Sequence, residues 1–167
     1  VADEGSGPRY GSGVSAIDPR EPRVVRRSRN LHLNLLLLAH RANETVERLC
    51  RDAGLTHPQY VALWTLCLTD DPEAGIPIGA VTDGLLTRAS DATRLVDRME
   101  RAGLVERLPN PTDRRSVLVR ATAAGRDAFA AVTPRLQEFH RTQWTALDAE
   151  EVATLDRLVG KALWAAG

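Results

Sequence analysis

The sequence predicts a mainly α-helical fold with one small β-hairpin. Three observations lead there. Apolar residues recur at spacings of three and four in several long stretches, the period of a helix with a buried face. Apolar residues make up 43% of the chain but aromatics only 4%, so Leu, Val and Ala must fill the core, a composition that favours helices. Strand-like sequence is confined to two matched runs, Leu104-Val105-Glu106-Arg107-Leu108 and Val117-Leu118-Val119. Between them, Pro109-Asn110-Pro111-Thr112-Asp113-Arg114-Arg115 supplies the residues of a tight polar turn.

A chain of 167 residues suits one domain, or one domain with an appended element. Residues 1–22, rich in Gly, Ser and Pro, read as a flexible arm. The cluster Arg23, Arg26, Arg27 and Arg29 is either a solvated helix entry or a phosphate contact. Residues 28–53 read as a long helix with Gly54 as its stop. Leu31, Leu35, Leu38, Ala42, Val46 and Leu49 form one apolar stripe, and Leu33, Leu36 and Leu37 widen it past half the cylinder. A surface helix on a monomer needs a single stripe, so the extra apolar side points to a partner chain.

Thr56 with Gln59 three positions later forms a capping box for the second helix, and Pro58 falls in its first turn. Its expected apolar face is Tyr60, Leu63, Trp64, Cys67 and Leu68. A loop rich in Asp, Pro and Gly follows at 70–75. A short helix over 78–86 and a polar-faced helix over 87–101 then pair as a helix-turn-helix. In the latter, Leu95, Val96 and Met99 face inward. Ser90, Asp91, Thr93, Arg94, Asp97, Arg98 and Arg101 remain outside. Gly103 ends it. A helix followed by a basic hairpin is the shape of a winged helix-turn-helix, with the helix sized for a major groove and the hairpin for flanking backbone or minor groove. Thr122 caps a helix expected to reach about residue 147 with a kink at Pro134. Asp148 caps a final helix bearing Val152, Leu155, Leu158, Val159, Ala162 and Leu163.

Net charge is zero, with 22 basic and 22 acidic residues, so overall charge does not announce a nucleic-acid binder. Distribution says more. From 87 to 125, eight arginines stand against five acids, leaving +3, while Asp148, Glu150, Glu151 and Asp156 lie far along the chain. A basic face on a neutral body fits DNA binding; an ordinary solvated charged face is the alternative. The bias of Arg over a single Lys161 reads as GC-rich coding. Cys50 and Cys67 are too few for a metal framework or a disulfide pattern. The Leu35–Ala39 run is too short to cross a membrane, and residues 1–16 lack an apolar core of signal-peptide type, so a cytoplasmic location is expected.

Two segments carry a family resemblance. The first runs Thr93-Arg94-Leu95-Val96-Asp97-Arg98-Met99-Glu100-Arg101-Ala102-Gly103-Leu104-Val105-Glu106-Arg107. The second runs from Pro109 through Asp113-Arg114-Arg115 to Thr122-Ala123-Ala124-Gly125. Together they resemble the MarR (multiple-antibiotic-resistance regulator) family, whose wing carries Asp-x-Arg, a hydrophobic strand and Thr-x-x-Gly. Thr56-His57-Pro58-Gln59-Tyr60 matches the start of the family's second helix. The chain departs from the pattern at Ala121 and Asp91, in a slightly long 69–77 loop, and in its N-terminal arm. The resemblance implies a homodimeric transcription factor, most often a repressor, that responds to a small phenolic or other anionic ligand or to oxidation. It also implies a domain layout: an arm at 1–22, a first dimerisation helix at 23–54, a winged helix-turn-helix module at 55–121 and C-terminal dimerisation helices at 122–167. The expected partners are double-stranded DNA carrying a pseudo-palindromic operator, a second copy of the chain and a small-molecule effector, with no membrane and no cofactor.

The candidate DNA-binding residues are Arg88, Ser90, Asp91, Thr93, Arg94, Arg98, Asp113, Arg114 and Arg115. The Arg94 guanidinium can pair bidentately with guanine, can bind phosphate, or can pair with Asp97 or Asp91. Ser90 and Thr93 can reach phosphate or a base edge. Asp91 either accepts from cytosine or complements the helix dipole. Arg88 is a phosphate candidate. Asp113 would be repelled by phosphate, so its expected task is to hold Arg115 or organise the turn. Arg114 and Arg115 present charge to the minor groove. Candidate effector residues are His40, Arg41, His57, Tyr60 and Trp64; each alone reads equally as core or surface. The four histidines show no metal-ligand spacing, and no nucleophile–base motif or phosphate loop is present, which argues against an enzyme. A winged-helix protein-interaction module and a cysteine-based redox regulator of the same fold are the alternatives.

Overall fold

The computed structural model of the chain describes residues 22–81, 89–113 and 115–165, with the backbone alone for 89–91. The arm expected at 1–22 thus lies, except for Pro22, outside the described residues. The elements are α1 (Arg23–Arg51), α2 (His57–Cys67), β1 (Ile76–Pro77), α3 (Ile78–Val81), α4 (Ala89–Arg101), β2 (Val105–Pro109), β3 (Val117–Ala121), α5 (Ala123–Thr142) and α6 (Ala149–Ala165). They fall into two units, Val1–Ala42 and Asn43–Gly167.

In the first unit α1 begins at Arg23, five residues before its expected start, and its first bond runs from the Arg26 N–H to the Pro22 carbonyl. Arginine is a good helix former, so the basic cluster is helix and not its approach. Val24, Leu31, Leu33, Leu35, Leu36 and Leu38 are all exposed.

The second unit holds the core. Val46 and Cys50 from the end of α1 join Ala62, Leu63 and Leu66 of α2, Val81 of α3, and Leu95, Val96 and Met99 of α4. Val105, Val119 and Ala121 of the strands and Val132 and Leu136 of α5 complete it. The buried face of α2 differs from the expected one. Ala62, Leu63 and Leu66 are inside, while Trp64 is 49% and Leu68 63% exposed. The side of α2 that meets the core carries Ala62, Leu63 and Leu66, which leaves the indole outward.

Capping follows the sequence closely. Thr56 accepts from the Gln59 N–H while the Gln59 side chain accepts from the Thr56 N–H, which closes the capping box. Gly54 and Gly103 end α1 and α4 in the same way. At α4 the Leu104 N–H donates to the Met99 carbonyl and the Gly103 N–H to the Glu100 carbonyl, with Gly103 at φ +71°.

Three strands form an antiparallel sheet in the order β1-β3-β2. β2 and β3 pair over five residues, from Val105 opposite Ala121 to Pro109 opposite Val117. β1 was not expected from the sequence. Two residues with a proline carry no strand periodicity, and Ile76 and Pro77 become a strand only by lying beside Val119 and Leu118. α5 runs unbroken through Pro134 but stops at Thr142, short of the expected end. The Thr142 hydroxyl donates back to the Glu138 carbonyl, and turns over 143–147 lead to Asp148, which caps α6 by accepting from the Glu151 N–H.

Candidate nucleic-acid interface

α4 has two chemically opposite sides. At about 100° per residue, Arg94, Arg98 and Arg101 fall on one side of the cylinder and Ala92, Leu95, Val96 and Met99 on the other. The first group is exposed and the second buried. The apolar side anchors the helix on the core and leaves three guanidinium groups and Thr93 facing solvent. Arg101 donates to the Asp97 carbonyl of its own helix. Arg94 and Arg98 have no ion pair among the described residues. An Arg94–Asp97 pair does not form, because the Asp97 carboxylate is taken by Arg107.

That contact was not foreseen. Arg107, in β2, reaches back to α4 and pairs with two of its acids, Asp97 at 2.6 Å and Glu100. The hydrogen bond that Arg107 donates to Asp97 is the largest cause that holds its guanidinium above the ordinary pKa, against partial burial. A second pairing lies on the sheet. Arg120 of β3 is directly opposite Glu106 of β2, and its Nε donates to Glu106 Oε1 at 2.7 Å. The same guanidinium donates to the Glu73 carbonyl at 3.1 Å, and the Glu73 carboxylate lies 3.3 Å from Arg126. Two of the eight arginines counted into the basic face are therefore turned to internal acids. The matched strand lengths and the alternation of Glu106-Arg107 against Arg120 were the available signal for the sheet pair. Nothing in the sequence showed that Arg107 would face α4.

The wing turn is built around Asn110. Its Oδ1 accepts from the Thr112 N–H at 3.0 Å, the Thr112 hydroxyl at 2.8 Å and the Asp113 N–H at 3.3 Å, and its Nδ2 donates to the Ser116 hydroxyl at 2.6 Å. Asp113 accepts from the Arg115 backbone N–H at 2.9 Å. Asp113 thus organises the turn through the backbone, and the Arg115 side chain is left exposed at its end. Arg88 and Arg114 lie outside the described residues. Ser90 and Asp91 belong to the first turn of α4, and their side chains lie outside the description.

The candidate effector residues belong to both units. His40 and Arg41 are exposed on α1 in the first unit. In the second, His57 lines a pocket of about 230 Å³ with Glu47, Arg51, Leu55, Thr56 and Pro58. Tyr60 is engaged in packing, its ring stacked on Phe129 at 5.5 Å and its hydroxyl 3.4 Å from the Thr133 hydroxyl. Burial pushes the Cys50 thiol up, helped by Glu47. It also raises the Cys67 thiol, which Arg126 partly draws back. Both thiols are thus held protonated, the inert form. No cluster of three metal-ligating side chains occurs among the described residues, and no described helix is long and apolar enough to cross a membrane.

A short helix, a second helix with a solvent-facing basic side, and a two-stranded wing on a three-stranded sheet define a winged helix-turn-helix protein. A family model described as "MarR family" matches residues 53–116. The chain is 32% identical over 109 residues to the uncharacterized HTH-type transcriptional regulator YsmB of Bacillus subtilis, covering 65% of this chain and 71% of that one. It is 43% identical over 76 residues to the multiple antibiotic resistance protein MarR of Escherichia coli, covering 42% of this chain and half of the relative's length. The crystal structure of a mutant MarR from E. coli complexed with operator DNA superposes with a TM-score of 0.69 at 28% identity, covering 84% of this chain and 95% of that one. The chain belongs to the MarR family.

Proposed function

We propose that the protein is a sequence-specific DNA-binding transcriptional regulator that acts as a homodimer and represses by occupying its operator. The observation that carries this reading is the exposed row of Arg94, Arg98 and Arg101 on α4, backed by a buried apolar side and flanked by a wing that ends in exposed Arg115. α4 enters the major groove, where Arg94 reads a base edge and Arg98 meets phosphate. Arg115, with Arg114 beside it, meets the flanking minor groove. The exposed leucines of α1 and the exposed Leu158 and Leu163 of α6 are what a second copy of the chain covers. The kinship to a protein solved on operator DNA supports the same assignment.

A small phenolic or other anionic effector releases the operator. On this reading the effector occupies the His57 pocket of about 230 Å³, where an imidazole stands with the Arg51 guanidinium, itself 3.9 Å from Glu47. The test is selection of duplexes from a randomised pool by the intact protein, followed by mobility shift across a salt series. Binding to the selected duplex weakens steeply with salt. Arg94→Ala relaxes base preference, and Arg115→Ala lowers affinity on every sequence. Equal affinity for selected and scrambled duplex would exclude the proposal.

A further inference from the structure

The three residues Asp97, Glu100 and Arg107 join the two DNA-facing elements to one another. Arg107 is only 26% exposed, and each acid is about two-fifths exposed. Ion pairs that wet add little to fold stability, so the value of this one lies in geometry. A guanidinium presents its donors in a rigid planar fork, and two carboxylates one helical turn apart fix its plane. The α4 end of the clamp lies between Thr93 and Arg101, at the edge of the basic row. The other end is the middle of β2, two residues from the start of the wing turn at Pro109.

We infer that Arg107 is a positioning residue for DNA recognition, which sets the separation between the base-reading side of α4 and the wing through Asp97 and Glu100. The inference rests on the DNA-binding reading above. Two elements that touch a duplex at separate places bind well only when their spacing matches it, so a joint between them acts on affinity without touching DNA. Arg120, bridging Glu106 and Glu73, braces the other side of the same hairpin root.

The decisive variant removes the acids and keeps the arginine. Asp97→Asn with Glu100→Gln takes two negative charges away from the DNA-facing helix, so electrostatics alone predicts tighter binding. Positioning requires the opposite. The expected result is a loss of about tenfold on the duplex selected by the unaltered protein, the scale of coupling within one ion-pair network. Affinity for scrambled duplex holds or rises. Arg107→Met, which keeps the aliphatic stem, gives the same loss with an unchanged salt slope, since no phosphate contact is removed. Arg107→Lys recovers only part of the affinity. Equal or tighter specific binding by the double variant overturns the inference, as does a slope that falls by about one in Arg107→Met, which would make Arg107 itself a phosphate contact. If the unaltered protein selects no duplex, the DNA-binding reading fails instead.

Discussion

Gly125→Ala tests how α5 is seated on the end of α4. Gly125 is buried in the first turn of α5, where its N–H donates to the Thr122 hydroxyl at 3.1 Å. Thr122 in turn donates its backbone N–H to the Leu104 carbonyl at 3.1 Å and its hydroxyl to the Gly103 carbonyl at 2.6 Å. A methyl group at residue 125 would stand far inside contact with the Leu104 carbonyl oxygen, 3.0 Å from its carbon and 3.1 Å from Leu63 Cδ2. The oxygen is backbone and cannot rotate away, so α5 must shift and the Thr122–Leu104 bond lengthens. Overpacking costs about 1–3 kcal/mol and a lost hydrogen bond about 1 kcal/mol. Alanine returns about 1 kcal/mol through helix propensity. The net loss is about 2 kcal/mol, which in a chain of this size lowers Tm by roughly 4–8 °C. Thermal unfolding followed by circular dichroism, at one fixed protein concentration because an oligomer's Tm depends on it, measures the change. A Tm equal to or above that of the unaltered protein would refute the packing described for Gly125.

Three further outcomes are expected. Thr122→Ala removes the cap of α5 and the bond to Gly103, and lowers stability by about 1–2 kcal/mol in urea unfolding. Asn110→Ala leaves the wing turn without its hub; hydrogen exchange at Thr112 and Asp113 rises and affinity for a selected duplex falls, while Tm moves little because the turn is exposed. Because burial raises both thiols, Cys50 and Cys67 stay neutral below their folded-state pKa, and their thiolates appear only at pH above the ordinary thiol range. Native-state reaction with a disulfide reagent should therefore be slow at neutral pH and accelerate only at alkaline pH. Peroxide should leave the mobility shift unchanged, and release of DNA by peroxide at neutral pH would restore the redox-regulator alternative.

Features set by neighbouring residues were legible in the chain. The Thr56–Gln59 box, the stops at Gly54 and Gly103, the inward placement of Leu95, Val96 and Met99, and the hairpin all depend on groups within a few positions of each other. What depended on distant partners was not. β1 exists because β3 passes beside Ile76. The outward turn of Trp64 follows from which side of α2 meets the core, and its period fits either choice. The same limit applies to charge. A count over 87–125 treats all arginines alike, whereas Arg107 and Arg120 meet acids across a fold that the count cannot see. Arg94, Arg98 and Arg115 are exposed, and their guanidinium groups form no ion pair among the described residues.

The pairing of β1 with β3 is only two residues long, yet it closes a loop of roughly forty residues that contains α3 and α4. Local helices form within about a microsecond, whereas pairing between residues distant in sequence requires loop closure first and follows them. During synthesis α4 is therefore made before β3, and the core that its apolar side joins is completed only when Val119 has emerged. The segment that carries α4 lies between β1 and β2, and both of these strands pair with β3. Loss of β3 therefore frees that segment at both ends, which couples the placement of α4 to the sheet.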